Sequence, residues 1–385
     1  MKRIGVFTAT RAEYGLLRPV LAALEQSQAL DHRLIVAGTH LSPRHGATLA
    51  EIEADGRRAD ARVPAALVGD DGPSIAADMA ATLAGCAQAY VELTLDAVLM
   101  LGDRTEVLAA AAAAVPLGLP ILHLEGGHRT AGAVDDAIRH AVTKLAALHF
   151  TAAEPYRRRI LQMGEAPERV FTVGSTAVDT LRTVAAKGGD DIPALSGLDL
   201  GNGFILATFH PETLGDRSPD AQIAAFLGGL SSVADRPVLI TRPNADAGSA
   251  TIRTALDRFA AERSGQVRIV ESLGAENYLR ALIACDVVVG NSSSGVIEAP
   301  AAGTPSVNVG LRQDGRIKPP SVIDCALDPA AIADAIRRAV APGVKAAAEA
   351  QPALFGDGRS GQRIVEILER TDFDRLARKP FIDSL

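Results

Sequence analysis

Glu125, His128, Asp135, Asp136, Arg139 and His140 fall within one stretch, ILHLEGGHRTAGAVDDAIRHAVTK, from Ile121 to Lys144. Such side chains must be paired or hydrated when buried, so a purely structural element has little use for the collection. A site that moves protons does. Glu125 ends an apolar run, ILHL, and precedes two glycines, where the backbone can turn tightly or let a ligand approach. It is therefore expected at a strand end, pointing into a cleft. Asp135 and Arg139 lie four apart, as do Asp136 and His140, so the next segment reads as a helix. Its pairs can serve helix stability, and acids in a first turn are favoured by the helix dipole in any case. A metal site is not expected: His123 and Glu125 can share a face, but no third ligand stands at a recognisable spacing.

Side chains gathered in this way need a scaffold. Short apolar runs at 3–8, 33–38, 97–101, 121–124, 148–151 and 169–173 alternate with helical patterns, and the alternation restarts at 204–208, 237–241, 267–270, 285–290 and 305–309. That rhythm predicts α/β units on parallel sheets. The Gly/Pro/Asp-rich stretch 187–203 is the natural break, giving an N-terminal domain over 1–186 and a C-terminal domain over 204–360, with a final helix at 361–368 in the segment 361–385. We expect two doubly wound domains facing each other across a cleft. Ligands of such sheets sit outside the carboxyl ends of the strands. The residues expected there are Arg11, His40, Asp103, Glu125, His210, Arg242, Asn244, Asn291, Ser292, Ser293 and Ser294. The first half supplies acids and bases. The second supplies neutral donors and arginine, which suit phosphate oxygens.

Each position also has a plainer reading. Asp103 after Gly102 is a common turn residue, and His210 can be a satisfied structural histidine. The GNSSSG run at 290–295 can be an ordinary helix cap, although a cap needs only one serine. No GxGxxG follows the first strand and no GxxxxGK[ST] is present, so the dinucleotide and P-loop signatures are missing.

Bulk composition narrows the classes. The 385 residues are 48% apolar and 22% charged, ample for two cores, with a net charge of -7. Neither nucleic acid nor an anionic membrane is an expected partner. Three cysteines without a CxxC fit a reducing cytosol and exclude a cysteine-based zinc site. No leader or spanning segment is expected: MKRIGVFTA runs into an apparent strand, and the apolar run 107–122 is short and broken by prolines and a glycine.

Read in order, the stretches TRAEYGLL (10–17), GTHL (38–41), GDR (102–104), HLEGG (123–127), GAVDDAIRHAVTKLAALHF (132–150), VGSTAVD (173–179), FHPET (209–213), RPNADAGS (242–249), GNSSSGVIEAPAAGTPSVNVGLRQDGR (290–316) and FGDGRSGQRI (355–364) resemble the UDP-N-acetylglucosamine 2-epimerase family. They are most similar to its hydrolysing branch, which forms N-acetylmannosamine. The resemblance implies a fold like that of B-type glycosyltransferases, a UDP-sugar substrate, no cofactor, a dimer or tetramer, and a C-terminal helix returning to the first domain. It implies acid/base positions at Asp103 and Glu125, with Asp135, Asp136 and Arg139 close by. It implies sugar or phosphate contacts at His40 and His210, and a UDP site at Arg11, Asn244, Ser292, Ser293, Glu298 and Arg312. One departure is His128, where the hydrolysing branch usually carries an acid after the glycine pair.

The implied reaction removes the C2 proton while the C1–O bond to UDP breaks, through a 2-acetamidoglucal-like intermediate. Glu125 or Asp103 is the expected base. The other carboxylate, Asp135, Asp136 or His210 is the expected donor to the opposite face. Water addition at C1 gives free N-acetylmannosamine; return of UDP gives UDP-N-acetylmannosamine, which a cationic His128 would favour. A glycosyltransferase of the same fold would need an acceptor, and a UDP-sugar sensor would have no use for clustered acids.

Overall fold

The computed structural model describes all residues except 43–47, 66, 68, 70, 131–133, 189–196, 199, 201–202, 213–216, 234–235, 244–247, 352 and 384–385. The chain divides into two compact units. The first comprises Met1–His128, Val134–Thr180 and Phe355–Leu385; the second comprises Arg129–Ala133 and Leu181–Leu354.

The first unit is built on seven strands: β1 (Lys2–Thr8), β2 (Leu30–Ala37), β3 (Ala61–Val63), β4 (Ala97–Leu101), β5 (Ile121–Leu124), β6 (Leu148–Thr151) and β7 (Val170–Thr172). They are all parallel, in the order β3-β2-β1-β4-β5-β6-β7. Continuous apolar runs suit this arrangement, because both faces of a parallel sheet are covered. Val6, Val36 and Leu99 enter one core, and Phe7, Ile35 and Val98 the other. Strand order reverses between β1 and β4, the switch point where doubly wound sheets bind ligands. The pairing of Leu101 with Leu124 brings Gly102-Asp103 and Glu125 to one sheet edge.

The second unit repeats the plan with β8 (Ile205–Thr208), β9 (Val238–Thr241), β10 (Val267–Val270), β11 (Val287–Gly290), β12 (Ser306–Val309) and β13 (Val322–Cys325), in the order β10-β9-β8-β11-β12-β13, again all parallel. Ile205, Ile240 and Val289 face one core, and Leu206, Leu239 and Val288 the other. The β8–β11 pair forms the reversal, and Gly290 opposes Thr208 there. Gly290 has φ +146°, and a Cβ on it would lie 1.8 Å from the Thr208 carbonyl oxygen, so only glycine fits.

The α/β expectation is met by both sheets. Strands β3 and β13 and the long helix Gly72–Glu92 are additional to it. The helix Arg11–Leu24 starts directly after Thr10, because Thr10 and Glu13 form a capping box at its start. The division between units falls within the helix Thr176–Lys187 and again at 354/355. The closing helix Ser360–Glu369 packs Ile364, Val365 and Leu368 against Leu17, Val20, Leu21 and Leu24 of the first unit. Its N-terminus is held by Asp179, which accepts from the Ser360 and Gly361 amides at 3.0 and 2.7 Å. Among the described residues, no helix is long and apolar enough to cross a membrane.

Gly290→Ala is expected to destabilise the fold by at least ~3 kcal/mol, since backbone would have to move. Gly56→Ala also has positive φ but meets open space, and should lose only about 1 kcal/mol. Urea unfolding midpoints of the two variants check the contrast.

Candidate active site

Within the first unit, one guanidinium gathers the acids. Arg139 is buried, with its side chain 2% exposed, on the helix Asp135–Leu145. It donates to Asp103 Oδ2 and, at 2.9 Å, to Asp136 Oδ1. It also donates to the His128 carbonyl at 3.2 Å. A planar fork of donors suits such a junction; a lysine point charge does not. Asp136 thus pairs with Arg139, one residue closer in sequence than the expected partner Asp135. Asp136 also faces His140 at 3.6 Å. Asp135 lies in the first turn of the same helix, where Arg104 is among the charges that feel it.

Glu125 adopts φ +62°, a left-handed conformation that non-glycine residues seldom take. Its amide is tied to the Phe150 carbonyl at 2.9 Å. Its two carboxylate oxygens have different partners: Ser175 Oγ donates to Oε1 at 2.8 Å, and His128 Nε2 lies 2.9 Å from Oε2. The His128 ring stacks on Tyr156, centroids 3.9 Å apart at 28°. Between them, Gly127 has φ +80°, and a Cβ there would come within 2.4 Å of the Tyr156 carbonyl. Arg159 donates to the Gly127 carbonyl, fixing the loop from the other side. Backbone strain of this kind persists where the surroundings over-determine it, and it concentrates at functional sites.

Behind the edge, His123 is buried and bonded to the Gly102 carbonyl at 2.9 Å and Thr143 Oγ1 at 3.3 Å. Burial pushes its ring down to about 4, so it stands neutral as a prop for the Asp103 loop. His40 is a correction to the expected substrate contact. It has no exposed surface, and its ring nitrogens meet Thr8 Oγ1 at 3.0 Å and Thr48 Oγ1 at 2.7 Å. Burial holds it near 4 as well, so it joins the loops after β1 and β2 as a neutral ring. Arg11 occupies the first turn of its helix, half-exposed and 4.0 Å from Glu51.

In the second unit, His210 and Asn291 lock the ends of β8 and β11 together. The His210 amide donates to Asn291 Oδ1, and Asn291 Nδ2 donates to the His210 carbonyl, each at 2.8 Å. The Asn291 carbonyl accepts from Arg312 at 3.3 Å and Gln313 at 2.8 Å. Glu212 Oε1 accepts the Leu311 and Arg312 amides at 2.7 and 3.2 Å, drawing that loop toward His210. Ser292 caps a short 3-10 turn, Ser293–Gly295, and its hydroxyl receives Ser294 Oγ at 3.2 Å, itself 2.5 Å from the Tyr278 hydroxyl. The helix expected to follow is only Glu298–Ala301. It is too short for a dipole to carry anion binding, which leaves hydroxyls and Arg312 as the donors on offer. Arg242 is engaged by Asp257 and Glu271. Asn244 lies outside the described residues.

Ser175, Tyr156, Arg159 and Glu212 belong to these arrangements and were not singled out from sequence. Ser175 could have been found: it follows a strand and Gly174 within VGSTAVD, the pattern that marked Asp103. Among the described residues, no group of three or more His, Cys, Asp or Glu is placed to hold a metal ion.

The far end of the Arg139 helix is anchored separately. Lys379 donates to the Thr143 and Lys144 carbonyls at 3.3 and 2.6 Å and pairs with Glu165 at 2.8 Å. Burial alone would raise the Glu165 carboxyl, but hydrogen bonds from His149, Lys144 and Lys379 outweigh it and hold it at about 2.

A profile of the UDP-N-acetylglucosamine 2-epimerase family matches residues 22–369. The hydrolysing UDP-N,N'-diacetylbacillosamine 2-epimerase of Legionella pneumophila is 34% identical over 370 residues, 96% of each chain. The hydrolysing GDP/UDP-N,N'-diacetylbacillosamine 2-epimerase of Campylobacter jejuni is 33% identical over 323 residues, 84% of each. Among solved structures, the UDP-GlcNAc 2-epimerase of Neisseria meningitidis bound to UDP-GlcNAc superposes with a TM-score of 0.82 at 18% sequence identity, over 96% of this chain and 100% of that one, which shows a shared fold.

Arg139→Lys should keep the fold but lower turnover ~10–100-fold, because the Asp103 loop loses its fixed position; kcat with circular dichroism checks this. Glu165 sets an acid limit on stability. Its folded value is below the ordinary 4.5, so its stabilisation is present above about pH 4.5 and is lost as pH falls toward about 2. In urea melts, the wild type should lose about 2 kcal/mol more than Glu165→Gln between those limits.

Proposed function

The chain belongs to the UDP-N-acetylglucosamine 2-epimerase family, and on that premise we propose that it is a hydrolysing 2-epimerase. It would convert a UDP-linked 2-acetamido sugar and water into UDP and the free sugar inverted at C2. The observation that carries this reading is Glu125. It is held in a left-handed conformation with both oxygens hydrogen-bonded, at the same sheet edge as Asp103. Two carboxylates there have different neighbours, one a guanidinium and the other a hydroxyl and an imidazole, as suits a base and an opposing acid.

Glu125 removes the C2 proton as the C1–O bond breaks and its electron pair leaves with the diphosphate. The C2–H electrons form the C1–C2 double bond of the glycal. Asp103, with Asp135 or Asp136, delivers a proton to the opposite face of C2; water supplies the hydroxyl at C1, its other proton returns to the acid that donated, and Glu125 releases the C2 proton to solvent. In the second unit, Arg312, Ser292 and Ser293 offer donors for the nucleotide, with Asn291 holding His210 beside them; Arg11 is a further cation for the departing phosphates. Glu298 would receive the ribose or uracil. Arg242 is already neutralised by two acids and contributes less to the diphosphate than its position at a strand end suggested.

The hydrolysing outcome is supported by the relatives from Legionella and Campylobacter, both named as hydrolysing. The return of UDP that a cationic His128 would favour finds no support there. Those names also favour a second sugar. N,N'-diacetylbacillosamine carries a further acetamido group, whereas the solved neighbour holds UDP-GlcNAc. A cytoplasmic homodimer or tetramer is part of the same reading.

Incubation with UDP-GlcNAc and with UDP-N,N'-diacetylbacillosamine in D₂O, followed by NMR, tests the proposal. The expected products are UDP and a free sugar deuterated at an inverted C2, formed faster from the true substrate. Glu125→Gln and Asp103→Asn should each reduce turnover ~10²–10⁴-fold. A product that stays UDP-linked, a requirement for an acceptor, or binding without exchange would each refute it.

A further inference from the structure

Glu125 is not a lone carboxylate. Ser175 Oγ lies 2.8 Å from one oxygen and His128 Nε2 lies 2.9 Å from the other. The carboxylate side chain is 15% exposed and the imidazole 5%, so the histidine lies deeper than the acid. Its ring cannot turn freely: one face rests on Tyr156, and the backbone on either side is pinned by Arg139 and Arg159. We propose that Glu125, His128 and Ser175 act as one unit, in which Ser175 and His128 are positioning residues and the charge on His128 sets the strength of Glu125 as the C2 base. This rests on the 2-epimerase reading above.

The physical case runs through proton counting. With a neutral imidazole, Nε2–H donates to an ionised Glu125, aims it, and leaves lone pairs free on both oxygens for the C2 proton. A second proton on the ring makes an imidazolium beside the carboxylate. The pair is then stabilised as an ion pair, and Glu125 becomes the weaker base. Two groups this close titrate in macroscopic steps that belong to the pair. The charges facing His128 come from every side. Glu125 is on its own loop. Tyr156 and Arg159 are on the helix Glu154–Gln162. Arg139 is on the helix Asp135–Leu145, itself answered by Asp103 and Asp136. The two arginines oppose the imidazolium and Glu125 favours it, so its proton is governed by the state of the acid it serves.

A residue that merely fills space there would behave differently from one that titrates. Glutamine can still donate a hydrogen bond to Glu125 but cannot take a proton. His128→Gln is therefore expected to leave KM little changed and lower kcat ~10-fold. Its acidic limb of kcat against pH should move to lower pH by about one unit or more, because Glu125 then titrates alone. Ser175→Ala should lower kcat by a similar factor with the limb in place, and Ser175→Thr should restore it. Should His128→Gln fail to fold, histidine NMR on wild type and Glu125→Gln replaces it: one ring's titration must shift between the two proteins. Turnover is followed as release of free sugar in D₂O. Wild type without C2 exchange sinks the 2-epimerase reading and the unit with it. Wild-type exchange combined with an unmoved acidic limb in His128→Gln, or with identical histidine titrations, sinks the unit alone.

Discussion

The contact on which the first unit's chemistry depends is the buried guanidinium of Arg139. It reaches Asp103 on the loop after β4, Asp136 on its own helix and the His128 carbonyl on the loop after β5. A charge at 2% exposure has lost most of its hydration, and it is tolerable because two carboxylates and a carbonyl replace water around it. The arrangement need not add net stability over a well-packed apolar residue. What it provides is position: two loops from different strands and one helix are referred to a single rigid fork.

Around that fork, backbone geometry does what side chains cannot. The register of β4 on β5 sets Asp103 and Glu125 at one edge. Gly127 gives Tyr156 room to approach, and Tyr156 supports His128. Glu125 takes a left-handed turn that most residues avoid, and its amide bond to Phe150 keeps it there. Remove any one and the carboxylate loses its bearing while the sheet survives. That separation of scaffold from site is what a doubly wound sheet offers.

Much of this was legible in sequence because the signals are local. Apolar runs at strand length announced both parallel sheets, and ILHL before two glycines announced a strand end at Glu125. The family's order of motifs supplied the rest of the class. What sequence could not supply were pairings set by three-dimensional neighbours. That Asp136 meets both Arg139 and His140 is decided by helix phase and loop placement. His40 looked like a ligand at a strand end, yet Thr8 and Thr48 close over both its nitrogens. Strand β3 is three residues long, ARV, too short for its alternation to be read. Ser175 comes fifty residues after Glu125, with nothing in its own neighbourhood to say which acid it serves.

Ser175 has one more connection. Its amide donates to the Phe355 carbonyl at 2.8 Å, and Gly174 sits against Gly356 with a Cβ there only 3.0 Å from the Phe355 oxygen. The segment that fixes this serine is thus made after the whole of the second unit. During synthesis the first sheet can form early, but the face of Arg11–Leu24 that Ser360–Glu369 covers stays open, and the serine beside Glu125 stays unfastened, until the residues after Leu354 are made. A chain that stops before Phe355 would carry Glu125 and still lack the contact that fixes its serine.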